Sequence, residues 1–138
     1  MPPNPTNIYI PWITIVNIES MTKEKFEVII VPSFQKEIER IKEKKQLELI
    51  YKSIEKIERM GKNAIKLLQV REKYILGEIK FMNPPYRLYV IINQEEEMFY
   101  IVKWEHKEKQ QKVINQLTKK LEYAFEGGIK NIMELFSH

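Results

Sequence analysis

Between residues 33 and 60 the chain carries neither glycine nor proline, and its apolar residues change phase halfway along. Such a stretch reads as helical throughout, with Ser33 a suitable N-cap and Gly61 a natural stop. At about 100° per residue, Phe34, Ile38 and Ile41 share one face of that helix. Leu47, Ile50, Ile54 and Ile57 share another, which would lie roughly opposite if the helix were continuous. A single helix cannot bury both faces against one sheet. The phase slip therefore predicts a turn near residues 42–46 and an antiparallel helical hairpin.

The remaining runs supply the sheet. Residues 25–31 are rich in β-branched side chains and read as a buried strand, and residues 62–69 as a short helix or turn. Residues 74–82 and 86–93 are strand-like and are separated by Asn83-Pro84-Pro85, which no central strand tolerates. A turn over residues 93–97 leads into a strand at 98–104, completing an antiparallel meander. Residues 107–125 read as a helix with Val113, Leu117, Leu121 and Ala124 on its apolar face, stopped by Gly127-Gly128. A short amphipathic piece at 129–136 follows. The expected fold class is α+β: an antiparallel sheet, formed by the N-terminal strand and the meander, packed by the helical hairpin and the C-terminal helix.

A chain of 138 residues fits one domain. We divide it into an N-terminal extension (1–20), the working domain (21–126) and a short helical tail (127–138). Its 43% apolar content predicts a packed core. Cysteine is absent, which excludes disulfides and thiolate metal sites and fits a reducing, cytoplasmic setting. No stretch reaches the roughly 18 apolar residues of a membrane helix, so no membrane association is expected. Residues 8–18 (IYIPWITIVNI) are apolar but have no cation before them, contain Pro11 and lack a small-residue cleavage site. They read as an extra strand or a clamp rather than an export signal.

The net charge of +4 is unevenly placed. From residue 103 to 120, six lysines face only Glu105 and Glu108, a surplus that equals that of the whole chain. A local basic field of this kind suits a polyanion such as RNA. Period-2 alternation adds a second clue. Ile79, Phe81, Leu88, Val90, Ile92, Tyr100 and Val102 are expected inward. Glu78, Lys80, Arg87, Tyr89 and Lys103 then fall on the opposite parity, placing three cations from three adjacent strands on one open face.

The order of elements, with Glu78-Ile79-Lys80, then Tyr86-Arg87-Leu88-Tyr89, then a strand running from Val102 into the lysines up to Lys109, resembles the RelE/HigB-like toxins of the RelE/ParE toxin–antitoxin superfamily. The resemblance spans residues 26–124, and Met21 stands where many members begin. Trp104 and Glu105 stand where the family often has a glycine and an aromatic. The resemblance implies a metal-independent endoribonuclease that cleaves mRNA on the ribosome, needs no cofactor and is covered by a cognate antitoxin protein.

That chemistry uses the RNA's own 2′-OH as nucleophile and needs proton transfer together with positive charge on the phosphate. His106 is the acid–base candidate, because imidazole works in either direction near neutral pH. Arg87 is the candidate phosphate clamp, through two parallel hydrogen bonds. Lys80 and Lys103 are secondary catalytic cations. Lys107, Lys109 and Lys112 are expected to hold the RNA backbone, and Trp104 and Tyr89 to stack on or bond to a base. Two other readings share the scaffold: a ParE-like, non-enzymatic inhibitor of DNA gyrase, and an RNA-binding module whose catalysis has decayed.

Overall fold

The phase slip is a real break. In the computed structural model, which describes residues 25–127 and 131–138, α1 (Pro32–Arg40) and α2 (Lys44–Met60) are separate helices joined through residues 41–43. Phe34 and Ile38 are buried from α1, and Ile50 and Ile57 from α2. Gly61 closes α2 as expected: its φ of 60° is a left-handed value that favours glycine, and its N–H donates to the Ile57 carbonyl. At the other end Val31, not Ser33, is the N-cap of α1, because Pro32 takes the first helical position, where its missing N–H costs nothing.

Five strands follow the chain: β1 (Glu27–Ile30), β2 (Lys66–Val70), β3 (Tyr74–Lys80), β4 (Tyr86–Asn93) and β5 (Met98–His106). They form one sheet in the order β1-β5-β4-β3-β2. Two expectations are corrected here. Residues 62–69 are not simply a turn or short helix: a 3₁₀ turn at Gly61–Ala64 leads into β2, an edge strand antiparallel to β3. The sheet is also mixed, since β1 runs parallel to β5. Hairpin turns reverse a strand, but β1 reaches the meander through two helices, and a helical crossover leaves direction open. Gly77 in β3 permits the close approach of β2, because a Cβ there would collide with the Ile65 side chain.

Both sheet faces are covered, which overturns the expected open face. Residues opposite one another in register share a face. Leu88, Val90 and Ile92 pair with Trp104, Ile101 and Phe99 on one side. Tyr89 and Ile91 pair with Lys103 and Tyr100 on the other. The register shifts at Tyr89/Val90, leaving Val102 as the extra residue of a bulge. Beyond it the alternation changes phase, so Tyr100 lies opposite to the side expected.

Helix α2 crosses the first face. Its start meets Trp104 through Gln46, and its end meets the N–H of Phe26 through the Glu58 carbonyl. The second face takes α3 (Gln110–Gly127), where Gln110 bonds Glu78 and Thr118 bonds Gln69. The apolar face expected for α3 is the one buried: Val113, Leu117, Leu121 and Ala124. The strands show why two layers are needed. The parity set aside as polar also carries Tyr74, Leu76 and Ile91, all buried, and the bulge adds the buried Tyr100 to the same face; near-continuous apolar strands belong between two layers.

The last helix, α4 (Ile132–Leu135), is part of the core rather than a tail, with Ile132 and Phe136 buried. The Phe136 carbonyl accepts the N–H of Ser33 at 3.0 Å, satisfying a donor in the first turn of α1. The extension 1–20, the apolar segment 8–18 and the boundary at Met21 lie outside the described residues. No helix among the described residues is long and apolar enough to cross a membrane.

Candidate nucleic-acid interface

The residues singled out in the sequence divide into an interior group and a surface group. The interior group lies beneath α3. Tyr89 is 0% exposed and Arg87 8%. The Arg87 Nη1 donates to the carbonyls of Phe81 (3.3 Å) and Tyr86 (3.1 Å), and its Nε lies 3.9 Å from Glu78 Oε1. Gln110 from α3 donates to the same Glu78 oxygen at 2.9 Å. Arg87 therefore spends its guanidinium inside the protein, and Tyr89 has no surface on which a base could stack.

The Glu78 Oε2, Arg87 Nε and Tyr89 hydroxyl are buried without a hydrogen-bond partner among the described residues. Burial, reinforced by the nearby Glu78 carboxylate, pushes the Tyr89 hydroxyl up to about 12. Lys103, facing Tyr89 across the strands, is held at 3.1 Å by Glu37 of α1 and is only partly exposed. Trp104 is 6% exposed, and its indole N–H donates to Gln46 at 2.8 Å.

The surface group gathers at the end of the sheet where β3 and β5 finish and β4 begins. Lys80 is exposed on the last residue of β3. His106 closes β5 and is half-buried. Its Nδ1 accepts the N–H of Glu108 at 3.1 Å, capping the 3₁₀ turn Lys107–Lys109. An imidazole whose Nδ1 accepts carries its proton on Nε2 when neutral, so the free nitrogen is a donor. The N–H of Lys107 donates to the Pro85 carbonyl at 2.9 Å, tying this turn to the β3–β4 connection.

The bond between Gln46 and Trp104 brings the exposed Lys44 and Lys45 of α2 to the same end. Lys44, Lys45, Lys80, Lys107 and Lys109 form no ion pair among the described residues. Glu43, Glu105 and Glu108 are the carboxylates interspersed with them. Lys112 is exposed one turn into α3.

Sequence reasoning missed two contributions to this end. The first is the pair Lys44 and Lys45, which only the fold of α2 across the sheet brings near His106. The second is an aromatic cluster. Tyr86 stacks on Trp104 at 4.9 Å and 10°, Phe81 tilts against Trp104 at 5.5 Å, and His106 stands edge-on to Tyr86 at 5.4 Å. The signal was present in the register, since Tyr86 lies diagonally across from Trp104 once Leu88 is placed opposite it. No group of three or more His, Asp and Glu side chains among the described residues converges as a metal site would require.

Comparison with known proteins places nothing beside this chain: no family model, curated protein or solved structure matches it.

Proposed function

We propose that this protein is a RelE/HigB-like toxin that binds mRNA on the ribosome and cleaves it without a metal ion. A cytoplasmic site of action and a cognate antitoxin belong to the same reading. The observation that carries it is the gathering at one end of the sheet of Lys80, His106, Lys107 and Lys109, which form no ion pair among the described residues. The three sequence pieces that resemble the family support it.

In this reading the lysines hold consecutive phosphates, which positions the strand without reading its sequence. Water takes the proton of the 2′-hydroxyl as its oxygen attacks phosphorus, the bond to the 5′-oxygen breaks with a proton passing to that oxygen, and a 2′,3′-cyclic phosphate remains. The cap on Nδ1 orients the neutral ring; protonation of His106 releases that cap, and the imidazolium gives its Nε2 proton to the leaving 5′-oxygen. Lys80 supplies positive charge to the phosphate, the role first expected of Arg87.

The test is cleavage of a reporter mRNA on translating ribosomes, read as new 5′ ends, for wild type and His106→Ala. Wild type should cut within the reading frame, and His106→Ala should cut about 10²–10⁴-fold more slowly. The burial of Arg87 favours one second reading, an RNA-binding module without cleavage. Intact mRNA on ribosomes that retain the bound protein would select that reading. Inhibition of gyrase supercoiling with no RNA retained would overturn both.

A further inference from the structure

The aromatic cluster at the cationic end has a construction that the RNA reading leaves unused. Three strand ends each contribute to it: Phe81 after β3, Tyr86 at the start of β4, and Trp104 with His106 from β5. Trp104 is the buried floor, fixed in orientation by Gln46. Tyr86 lies flat on it with rings 10° from parallel, and both Tyr86 and Phe81 remain half-buried rather than sealed. Rings held this way have lost their rotational freedom before any ligand arrives, so a planar group stacking on them orders little that is new. Lys80 adjoins Phe81, Lys107 is hydrogen-bonded to the residue before Tyr86, and Lys44 and Lys45 flank the Gln46 that holds Trp104. Aromatic rings interleaved with unpaired cations are the arrangement that binds single-stranded nucleic acid, with bases on the rings and phosphates on the lysines.

We infer that Tyr86 and Phe81, seated on Trp104, form a stacking site for an unpaired nucleobase of single-stranded RNA whose flanking phosphates lie on Lys107 and on Lys44 and Lys45 of α2. The inference rests on the RNA reading proposed above and gives it a substrate class: an unstacked, single-stranded segment rather than a duplex. Duplex RNA keeps its bases stacked on one another and offers no free face. His106, edge-on to Tyr86, would then sit beside the nucleotide whose base is held.

The experiment is equilibrium binding of a fluorescent single-stranded RNA oligomer to the full chain, across a salt series. It compares wild type, Tyr86→Leu, Tyr86→Phe, Lys107→Ala and, with wild type only, the same oligomer carrying abasic positions. Tyr86→Leu should weaken binding about 5- to 150-fold with an unchanged salt slope, the scale of losing one stacked base, while Tyr86→Phe stays near wild type. Lys107→Ala should weaken binding and flatten the salt dependence by roughly one phosphate contact. The abasic oligomer should lose as much as Tyr86→Leu does, and this arm needs no variant to fold. If the abasic oligomer binds as tightly as the intact one, the stacking site is refuted while RNA binding stands. If wild type binds no single-stranded RNA at all, the RNA reading itself fails.

Discussion

Lys80 and Arg87 are partners in the β3–β4 register, yet one is exposed and the other sealed. The difference lies in their neighbours. Arg87 is on β4, the middle strand, with Lys80 on one side and Glu105 on the other, and Gln110 of α3 reaches the Glu78 beside it. Lys80 ends β3 beyond the reach of β2, whose pairing begins at Glu78. Two residues of the same chemical type and the same strand parity thus acquire different work. Arg87 bonds two carbonyls and approaches a carboxylate of its own fold, while Lys80 has no partner among the described residues and is free to meet a phosphate.

The sharpest way to break this contrast is to remove each cation. Arg87→Ala leaves Glu78 buried beside an empty site and should cost about 3–5 kcal/mol in a urea melt, the scale of breaking a buried pair. Lys80→Ala should stay within about 0.5 kcal/mol of wild type. A small loss for Arg87→Ala would mean that its guanidinium reaches solvent in the working protein, returning it to the list of phosphate ligands.

A second test uses Tyr89, the other sealed residue. Its hydroxyl ionises near pH 10 in the unfolded chain and is pushed up to about 12 in the folded one. Between those values the folded state holds the proton that the unfolded state has lost. Stability should therefore fall as pH rises from 10 toward 12, by about 1.4 kcal/mol per pH unit from this group, and be unaffected by it below pH 10. Tyr89→Phe should flatten that slope. It should also leave stability near neutral pH unchanged or slightly improved, because it deletes a buried hydroxyl that has no partner among the described residues. An identical alkaline slope in Tyr89→Phe would show that Tyr89 is not the group responsible.

An effect well below that of Arg87→Ala belongs to the surface group. His106→Ala deletes the cap on the 3₁₀ turn and should cost about 1 kcal/mol or less in the same melt. A loss as large as that of Arg87→Ala would make His106 structural and erase the contrast between the two groups.

Much of the fold was legible. The phase slip located the break between α1 and α2, Gly61 marked the end of α2, and the double proline separated β3 from β4. Edge strand β2 was not legible because residues 66–70 (KLLQV) hold a single β-branched side chain and pair on one side only. Alternation separated the two parities of β3 and β4 correctly but was carried through β5 without a break. The bulge at Val102 reverses it there, and a bulge leaves no mark in a run such as FYIVKW.

The open face was an error of counting polar residues and overlooking the apolar ones beside them. Glu78, Lys80, Arg87 and Lys103 suggested solvent, while Leu76, Tyr89 and Ile91 on the same parity called for a second layer. For the candidate site, residue type singled out Lys80, His106, Lys107 and Lys109, which the fold gathers at one end of the sheet. It could not distinguish an arginine that meets ligands from one that holds the fold together, because that depends on which helix lies above it.

The pairing of β1 with β5 has a consequence for how the protein comes into being on its own ribosome. Among the described residues, β1 has its sheet partner some seventy residues downstream, from Glu27 opposite Met98 to Ile30 opposite Ile101. At about 5–20 residues per second, β1 waits roughly 4 to 15 seconds with its backbone edge unpaired before β5 is even synthesised. The strands β2 to β4 can zip by local hairpins meanwhile, but the sheet cannot close over β1 until β5 has been made. Between the synthesis of β1 and that of β5 the nascent chain is therefore a partial sheet with an open seam, a substrate for holding chaperones and a hazard at high expression.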